Sequence, residues 1–208
     1  MPSPLRLFLG MIFSPGRTFS ALGSDPKRFR RGLRMVILTG FLYAAAAGLL
    51  GAGGALVTAP AIIPLPLENY YFFQMIFALP LFAVLWLLSS TLGHVLASIL
   101  GGRGSWKTAA AGSGFAFALP CLMIWIPQTI FGILLHTGMP QAEFMDIFAR
   151  PGGLQTAGWI YHGLALAWMA RLSAAALRAG RSLSKPKTLC SAVVATAAFA
   201  AGFLVFIR

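Results

Sequence analysis

The stretch WKTAAAGSGFAFALPCLMIWIPQTIFGILL, residues 106–135, decides the fold of this chain. It contains one charged side chain, Lys107, and that residue lies at its start. A helix needs about 20 apolar residues to cross the hydrocarbon core of a bilayer, and this stretch is longer than that. Pro120 lies near its middle and predicts a kink. The stretch therefore predicts a transmembrane helix.

Four further apolar segments are long enough to cross a membrane. They lie near residues 33–57, 70–100, 155–178 and 188–207. Of the 208 residues, 58% are hydrophobic and only 10% are charged, and the mean hydropathy is +0.81. Ordinary soluble domains are about 25% charged, so this composition excludes a soluble globular enzyme. We predict an all-α fold, a polytopic transmembrane helix bundle with five spans.

Basic residues are distributed unequally between the two ends of these spans. Positive residues favour the cytosolic side of a membrane protein, so their distribution predicts its orientation. With the spans alternating in direction, fourteen Lys or Arg residues lie on one side, and only Arg150 and Arg208 lie on the other. The poorer side also holds Glu68, Glu143 and Asp146, three of the four acidic residues. We therefore expect a cytosolic N-terminus and an external C-terminus.

Residues 1–32 are predicted to form a separate arm before the five-span domain of residues 33–208. Ser14-Pro15 is a typical helix start, and Asp25-Pro26 repeats that signal. Residues 5–13 give the arm an apolar surface next to nearby arginines. Two placements are open: the arm lies as amphipathic helices in the cytosolic interface, or it packs against the bundle.

The positive residues on the cytosolic side predict contact with anionic lipid. The formal net charge is +12, and each base near an anionic membrane surface contributes about 1 kcal/mol of attraction. Because the bases flank apolar segments, we expect membrane lipids as partners and no nucleic acid. The residues predicted to contact lipid headgroups are Arg28, Arg30, Arg31, Arg34, Arg103 and Lys107.

A glycine turn precedes residues 106–135. Gly101, Gly102 and Gly104 predict a tight turn, and Ser105 is well placed as the N-cap of the following helix. The simpler interpretation is a turn with a helix cap. The alternative is that its backbone N–H groups bind an anion such as a lipid phosphate.

Polar residues inside the spans suggest two kinds of chemistry. His94 and Ser113 lie at similar predicted depths on neighbouring helices, as a serine nucleophile and its base would in an intramembrane hydrolase. The alternative is a hydrogen bond between helices. Pro120 and Gln128 suggest an unwound stretch lining a transport path, and the alternative there is a kinked helix.

No motif in the sequence supports a cofactor site. The chain has no glycine-rich nucleotide-binding motif and no Cys or His spacing typical of a metal site. No carboxylate or amide lies near His94 to orient it as a base. We therefore assign no catalytic residue, no metal ligand and no cofactor.

The glycine turn and its surroundings resemble the Yip1-domain family. The resemblance is carried by residues 101–107, by Gly114-Phe115 and by Pro120, which match a Gly-x-Gly-Ser-aromatic turn leading into a helix. Residues 14–19, SPGRTF, are similar to the Ser-Pro-x-x-Thr-Phe opening of bacterial members. Five spans with a cytosolic N-terminus also agree with that family, and the resemblance covers most of the chain.

This resemblance implies a non-enzymatic membrane protein. Eukaryotic relatives are associated with small GTPases and vesicle traffic, but their Asp-Leu-Tyr/Trp-Gly-Pro motif is absent here, so we do not expect GTPase binding. Twelve Arg against four Lys fits a bacterial inner membrane protein from a GC-rich genome. We expect a protein that organises or scaffolds the membrane with other membrane proteins or a second copy. A small transporter is the alternative, and an intramembrane hydrolase is the remote one.

Overall fold

The computed structural model describes residues 4–57, 62, 66–149, 152–180 and 183–206, and every regular element in these ranges is helical. A single 3-10 turn, Leu67–Asn69, precedes α4. The helices are α1 (Pro4–Phe13), α2 (Pro15–Gly23), α3 (Arg28–Ala52), α4 (Tyr70–Ile99), α5 (Trp106–His136), α6 (Gln141–Ala149), α7 (Gly153–Ala179) and α8 (Lys185–Phe206).

The helix starts follow local signals in the sequence. Pro15 opens α2, as predicted, because its fixed φ suits the first helical turn. Ser105 caps α5, also as predicted, and its side chain accepts a hydrogen bond from the backbone N–H of Thr108 at 3.3 Å. The Asp25 carboxylate accepts from the backbone N–H of Lys27 at 2.8 Å, just before α3 begins. Short polar side chains therefore satisfy backbone N–H groups where α3 and α5 begin.

Helices α3 and α5 run parallel and pack closely along their whole length. Near their N-terminal ends the two backbones meet at Gly32 and Gly114, where an added Cβ on Gly114 would lie 2.6 Å from the Gly32 carbonyl oxygen. Near their C-terminal ends, Gly53 lies against Leu135. Close backbone approach at small residues is the usual way in which helices associate in lipid.

The other long helices alternate in direction around this pair. In α4, Trp86 Nε1 donates to the Ala110 carbonyl of α5 at 2.9 Å, and α4 runs opposite to α3 and α5. Helix α8 begins where α4 ends, because Lys187 Nζ donates to the Leu100 carbonyl at 3.0 Å. Helix α7 runs back along α5, where the Tyr161 hydroxyl donates to the Met123 carbonyl at 2.6 Å.

The five long helices form a closed ring in the order α3, α4, α8, α7, α5. Residues 109–121 of α5 are all buried, so the first half of this helix is enclosed by its neighbours. Aromatic side chains fill the centre, with the Phe117 and Phe199 rings stacked at a centroid distance of 4.7 Å. The bundle also leaves many large aliphatic side chains on its outer surface, where lipid can cover them.

The N-terminal arm packs against the bundle. Met11 of α1 and Phe19 and Leu22 of α2 are 0–3% exposed, and they contact buried residues of α5 and α7 such as Phe115 and Leu172. Of the two placements that the sequence leaves open, the structure has the packed one. Helix α3 begins at Arg28 and is continuous through the proposed boundary after residue 32.

The predicted helix bounds need several corrections. The segment predicted over 33–57 is the helix Arg28–Ala52, which ends early because a glycine turn follows Ala52. Helix α6 was not predicted, although Pro140 just before it is a typical helix start. Pro80 and Pro120 both lie inside uninterrupted helices.

Four helices of the described chain are long and apolar enough to cross a membrane: Arg28–Ala52, Leu67–Ile99, Trp106–His136 and Lys185–Phe206. The segment predicted as a span over 155–178 forms α7, which has 27 residues but does not meet this criterion. Gln155, His162 and Arg171 lower its apolar character.

Candidate functional site

The predicted lipid-contact residues lie at one end of the bundle, which we call the basic end. Arg28, Arg30, Arg31 and Arg34 belong to the first two turns of α3, whereas Arg103 and Lys107 lie at the start of the neighbouring, parallel α5. The bundle therefore brings both groups to the same end. Four of the six are exposed: Arg30, Arg34, Arg103 and Lys107.

The remaining two arginines are held by the protein itself. Arg31 Nε lies 2.7 Å from a carboxylate oxygen of Asp25, which is 8% exposed. Arg28 Nη1 donates to the backbone carbonyl of Asp25 at 3.2 Å. Sequence reasoning treated Asp25 only as a helix-start signal and missed this ion pair. The sequence signal that indicates this ion pair is that Asp25 is the one acidic residue on the predicted cytosolic side.

The glycine turn ends α4 with two backbone hydrogen bonds. The Gly102 N–H donates to the Ala97 carbonyl at 2.8 Å, and the Gly101 N–H donates to the Ser98 carbonyl at 3.0 Å. This is a Schellman motif, and it needs a residue with positive φ, which Gly101 supplies at +91°. Because these two N–H groups are already bonded, they do not form an anion site. The turn-and-cap interpretation is the one that the geometry matches.

The residues after this turn fix it to the neighbouring helices. Trp106 Nε1 donates to the Thr91 hydroxyl of α4 at 3.1 Å. The Trp106 ring also lies 5.7 Å from the ring of Phe29 in α3, which in turn lies 5.5 Å from Trp86. Gly104 is exposed, and Ser105 serves as the N-cap of α5. The glycine turn is therefore a junction that sets the relative positions of α3, α4 and α5.

The intramembrane serines form a hydrogen-bonded cluster without the predicted histidine. The Ser113 hydroxyl lies 2.5 Å from the Ser90 hydroxyl and donates to the Ala110 carbonyl at 3.0 Å. These are the only hydrogen bonds of Ser113 in the described part of the chain, so the predicted contact between His94 and Ser113 is not formed. The structure brings Ser113 to Ser90, and the pair joins α4 to α5 as an interhelical hydrogen bond.

Ser173 of α7, which the sequence analysis did not single out, faces the same cluster. Ser173 of α7 lines, together with Ser89, Ser90 and Ser113, a cavity of about 10 Å³. The Ser173 hydroxyl is buried and has no hydrogen-bond partner among the described residues. A cavity of this size is near the lower limit for one water molecule.

The transport hypothesis requires an open or unwound segment around Pro120 and Gln128. Pro120 lies in the fully buried part of α5, and the helix continues through it without interruption. Gln128 is half-buried, and its Nε2 donates to the Tyr43 hydroxyl of α3 at 2.9 Å. Gln128 therefore joins α5 to α3, and Pro120 belongs to the buried part of a continuous helix. Within the residues that the structure describes, no group of three His, Cys, Asp or Glu is arranged to hold a metal ion.

Comparison with known families gives one match. The Yip1 domain matches residues 9–207, which is nearly the whole chain. No curated protein and no solved structure matches.

Proposed function

The chain belongs to the Yip1 domain family and is an integral membrane protein, and on that basis we propose that it organises the membrane around it without catalysing a reaction. It crosses the bilayer five times, with the basic end in the cytosol and the C-terminus outside. The basic end contacts anionic lipid headgroups, and the membrane is the cytoplasmic (inner) membrane of a bacterium. Its protein partners are other membrane proteins or a second copy of the chain.

Five passes are supported by the path of α7. Helix α5 leads away from the basic end, and α8 starts at that end, next to Leu100. The chain must return between them, and α7 lies antiparallel to α5 over its length. Its 27 residues extend about 40 Å at 1.5 Å per residue, which is enough to cross a hydrocarbon core of about 30 Å. Its packing against α5 and α8, which are both apolar enough to cross a membrane, compensates for its lower hydropathy.

The observation that carries the lipid contact is the shortage of carboxylates at the basic end. Asp25 is the only acidic residue on that side, and Arg31 already occupies it. The exposed Arg30, Arg34 and Lys107 therefore have no protein carboxylate to pair with. Anionic headgroups at a cytosolic membrane surface would supply the missing charge, at about 1 kcal/mol per base.

A non-enzymatic role is supported by the contacts that the polar side chains make inside the bundle. Ser113 donates to a backbone carbonyl and faces Ser90, so its hydroxyl is not activated as a nucleophile. Gln128 and Pro120 are used in helix packing. These side chains stabilise contacts between helices, which is what a scaffold requires.

The lipid contact is tested by the phospholipids that copurify with the full chain from native membranes. We compare the wild type with a variant in which Arg30, Arg34, Arg103 and Lys107 are all changed to Gln. The anionic fraction of copurified phospholipid should exceed the bulk membrane value in the wild type and fall toward that value in the variant. An anionic fraction at the bulk value in the wild type would contradict the proposal.

Protein partners are tested by a photo-crosslinking residue placed on the outer surface of the bundle. Leu88 of α4 is 61% exposed and suits this purpose, and Leu119 of α5, which is 2% exposed, gives a matched interior control. A scaffold should give protein adducts from Leu88 in native membranes and only intramolecular adducts from Leu119. If Leu88 yields lipid adducts alone, this face is not a partner surface.

A further inference from the structure

A groove at the basic end lies between α2, α7 and α8, away from the residues considered above. Its volume is about 590 Å³, within the range of small-molecule binding sites. Ser20 of α2 and Leu189 of α8 both line it. Both side chains are exposed, so the groove is open to the surroundings of the bundle.

The groove has a cationic part and an apolar part. Arg178, in the last turn of α7, and Lys185, the first residue of α8, supply two positive charges. Neither side chain has a hydrogen bond or an ion pair within the residues that the structure describes. The apolar part is formed by Ala175 and Leu189, and Leu189 is 51% exposed on the outer surface of α8.

The counter-charge for Arg178 and Lys185 must come from outside the chain. The four acidic residues are Asp25, which is paired with Arg31, and Glu68, Glu143 and Asp146, which lie on elements at the opposite end of the bundle. A ligand that suits the groove carries an anionic group for the two cations and an apolar segment for the wall beside them. Arg and Lys are the usual ligands of phosphate groups.

We propose that this groove binds one anionic phospholipid, with its phosphate between Arg178 and Lys185 and an acyl chain along Ala175 and Leu189. The inference rests on the proposed function, because it requires the basic end to lie at the headgroup level of the membrane. It goes further in assigning a discrete site, distinct from the general attraction of the exposed bases on α3 and α5.

The test is native mass spectrometry of the full chain in detergent, titrated with phosphatidylglycerol or with phosphatidylcholine of the same acyl chains. The groove variant is Arg178→Gln with Lys185→Gln. Its matched control, Arg6→Gln with Lys27→Gln, removes two exposed charges that neither line the groove nor belong to the predicted lipid-contact residues. A third variant, Ser20→Trp, fills the groove mouth and leaves every charge in place.

We expect the wild type to retain one phosphatidylglycerol in preference to phosphatidylcholine. The groove variant and Ser20→Trp should each weaken this binding about tenfold, whereas the control should weaken it by no more than about twofold. Equal weakening in the groove variant and the control would overturn the site and leave the general lipid contact standing. If the wild type binds phosphatidylglycerol no more tightly than phosphatidylcholine, both proposals are overturned.

A soluble phosphate compound is the other possible source of the anion. Inorganic phosphate and glycerophosphoglycerol, at the same concentration as the lipid, should leave the bound phosphatidylglycerol in place, because neither has an acyl chain for the apolar wall. Displacement by either compound would overturn the lipid assignment.

Discussion

Single glycines decide how closely α3 and α5 approach. The Gly114 position has no room for a side chain, because the atoms that surround it belong to the Gly32 backbone and cannot rotate away. The sequence alone does not reveal this contact, since Gly32 and Gly114 are far apart along the chain. Gly101 is different, because its position after a long apolar helix already predicts the turn that its positive φ permits.

Changing Gly114 to Ala should destabilise the bundle. The new Cβ would lie 2.6 Å from the Gly32 carbonyl oxygen, and overpacking of this kind costs about 1–3 kcal/mol. The control is Gly163→Ala in α7, where an added Cβ meets nothing within 4 Å and alanine improves helix propensity by up to about 1 kcal/mol. Unfolding in a denaturing detergent measures both. Equal midpoints for the two variants would contradict the close contact.

The serine cluster yields a second prediction at the scale of residues. Ser113→Ala removes the hydrogen bond to Ser90 and should cost about 0.6 kcal/mol, the typical value between membrane helices. Ser173→Ala removes a buried hydroxyl that has no partner, so its stability should equal or exceed that of the wild type. The same detergent unfolding assay compares them. Greater destabilisation by Ser173→Ala would mean that a bound water or another group satisfies its hydroxyl.

At the scale of helices, the arm formed by α1 and α2 is part of the bundle. Its apolar surface was visible in the sequence, but the surface that it covers was not, since lipid and a neighbouring helix attract the same side chains. The choice depends on shape, because Gly112, Ala111 and Ala176 make the facing surfaces of α5 and α7 flat enough for Phe19 to lie against them. Such complementarity does not follow from hydropathy.

Truncation of Phe19 should release the arm. Phe19 is 3% exposed, and removal of a buried phenyl ring costs about 3–5 kcal/mol. Phe19→Ala should therefore expose the arm to trypsin at Arg17 and Lys27. Phe13→Ala is the control, because Phe13 is 79% exposed and makes little contact with the bundle. Limited proteolysis in mild detergent gives the comparison, and equal cleavage rates in both variants would show that α2 is not held by Phe19.

For helix α7, the hydropathy and the path of the chain lead to different expectations about whether it spans the membrane. Its length and position were predicted to within a few residues, since the sequence Pro151-Gly152-Gly153 comes just before the apolar stretch. Its polar residues make it too weakly apolar to qualify as a span by composition. Packing against α5 and α8 accounts for part of this, because the side of a helix that faces other helices needs less apolar surface than the side that faces lipid.

At the scale of the whole molecule, charge distribution and helix direction agree. The ring of alternating helices gathers the starts of α3, α5 and α8 and the ends of α4 and α7 at the basic end. The sequence allowed this end to be predicted from its bases. The groove between α2, α7 and α8 was not predictable, because its residues come from three separate parts of the chain and each is ordinary in its local context.

The most direct test of the proposed topology, five passes with a cytosolic basic end, is the accessibility of single cysteines in intact bacterial cells. In a background of Cys121→Ala and Cys190→Ala, a membrane-impermeant maleimide should label Glu143→Cys and Gly153→Cys at once. It should label Arg103→Cys and Lys185→Cys only after the membrane is permeabilised. Gly153 is the first residue of α7, and Lys185 opens α8, shortly after the other end of α7. Labelling of cysteines at both positions from the same side of the membrane would contradict the fifth pass and the account built on it.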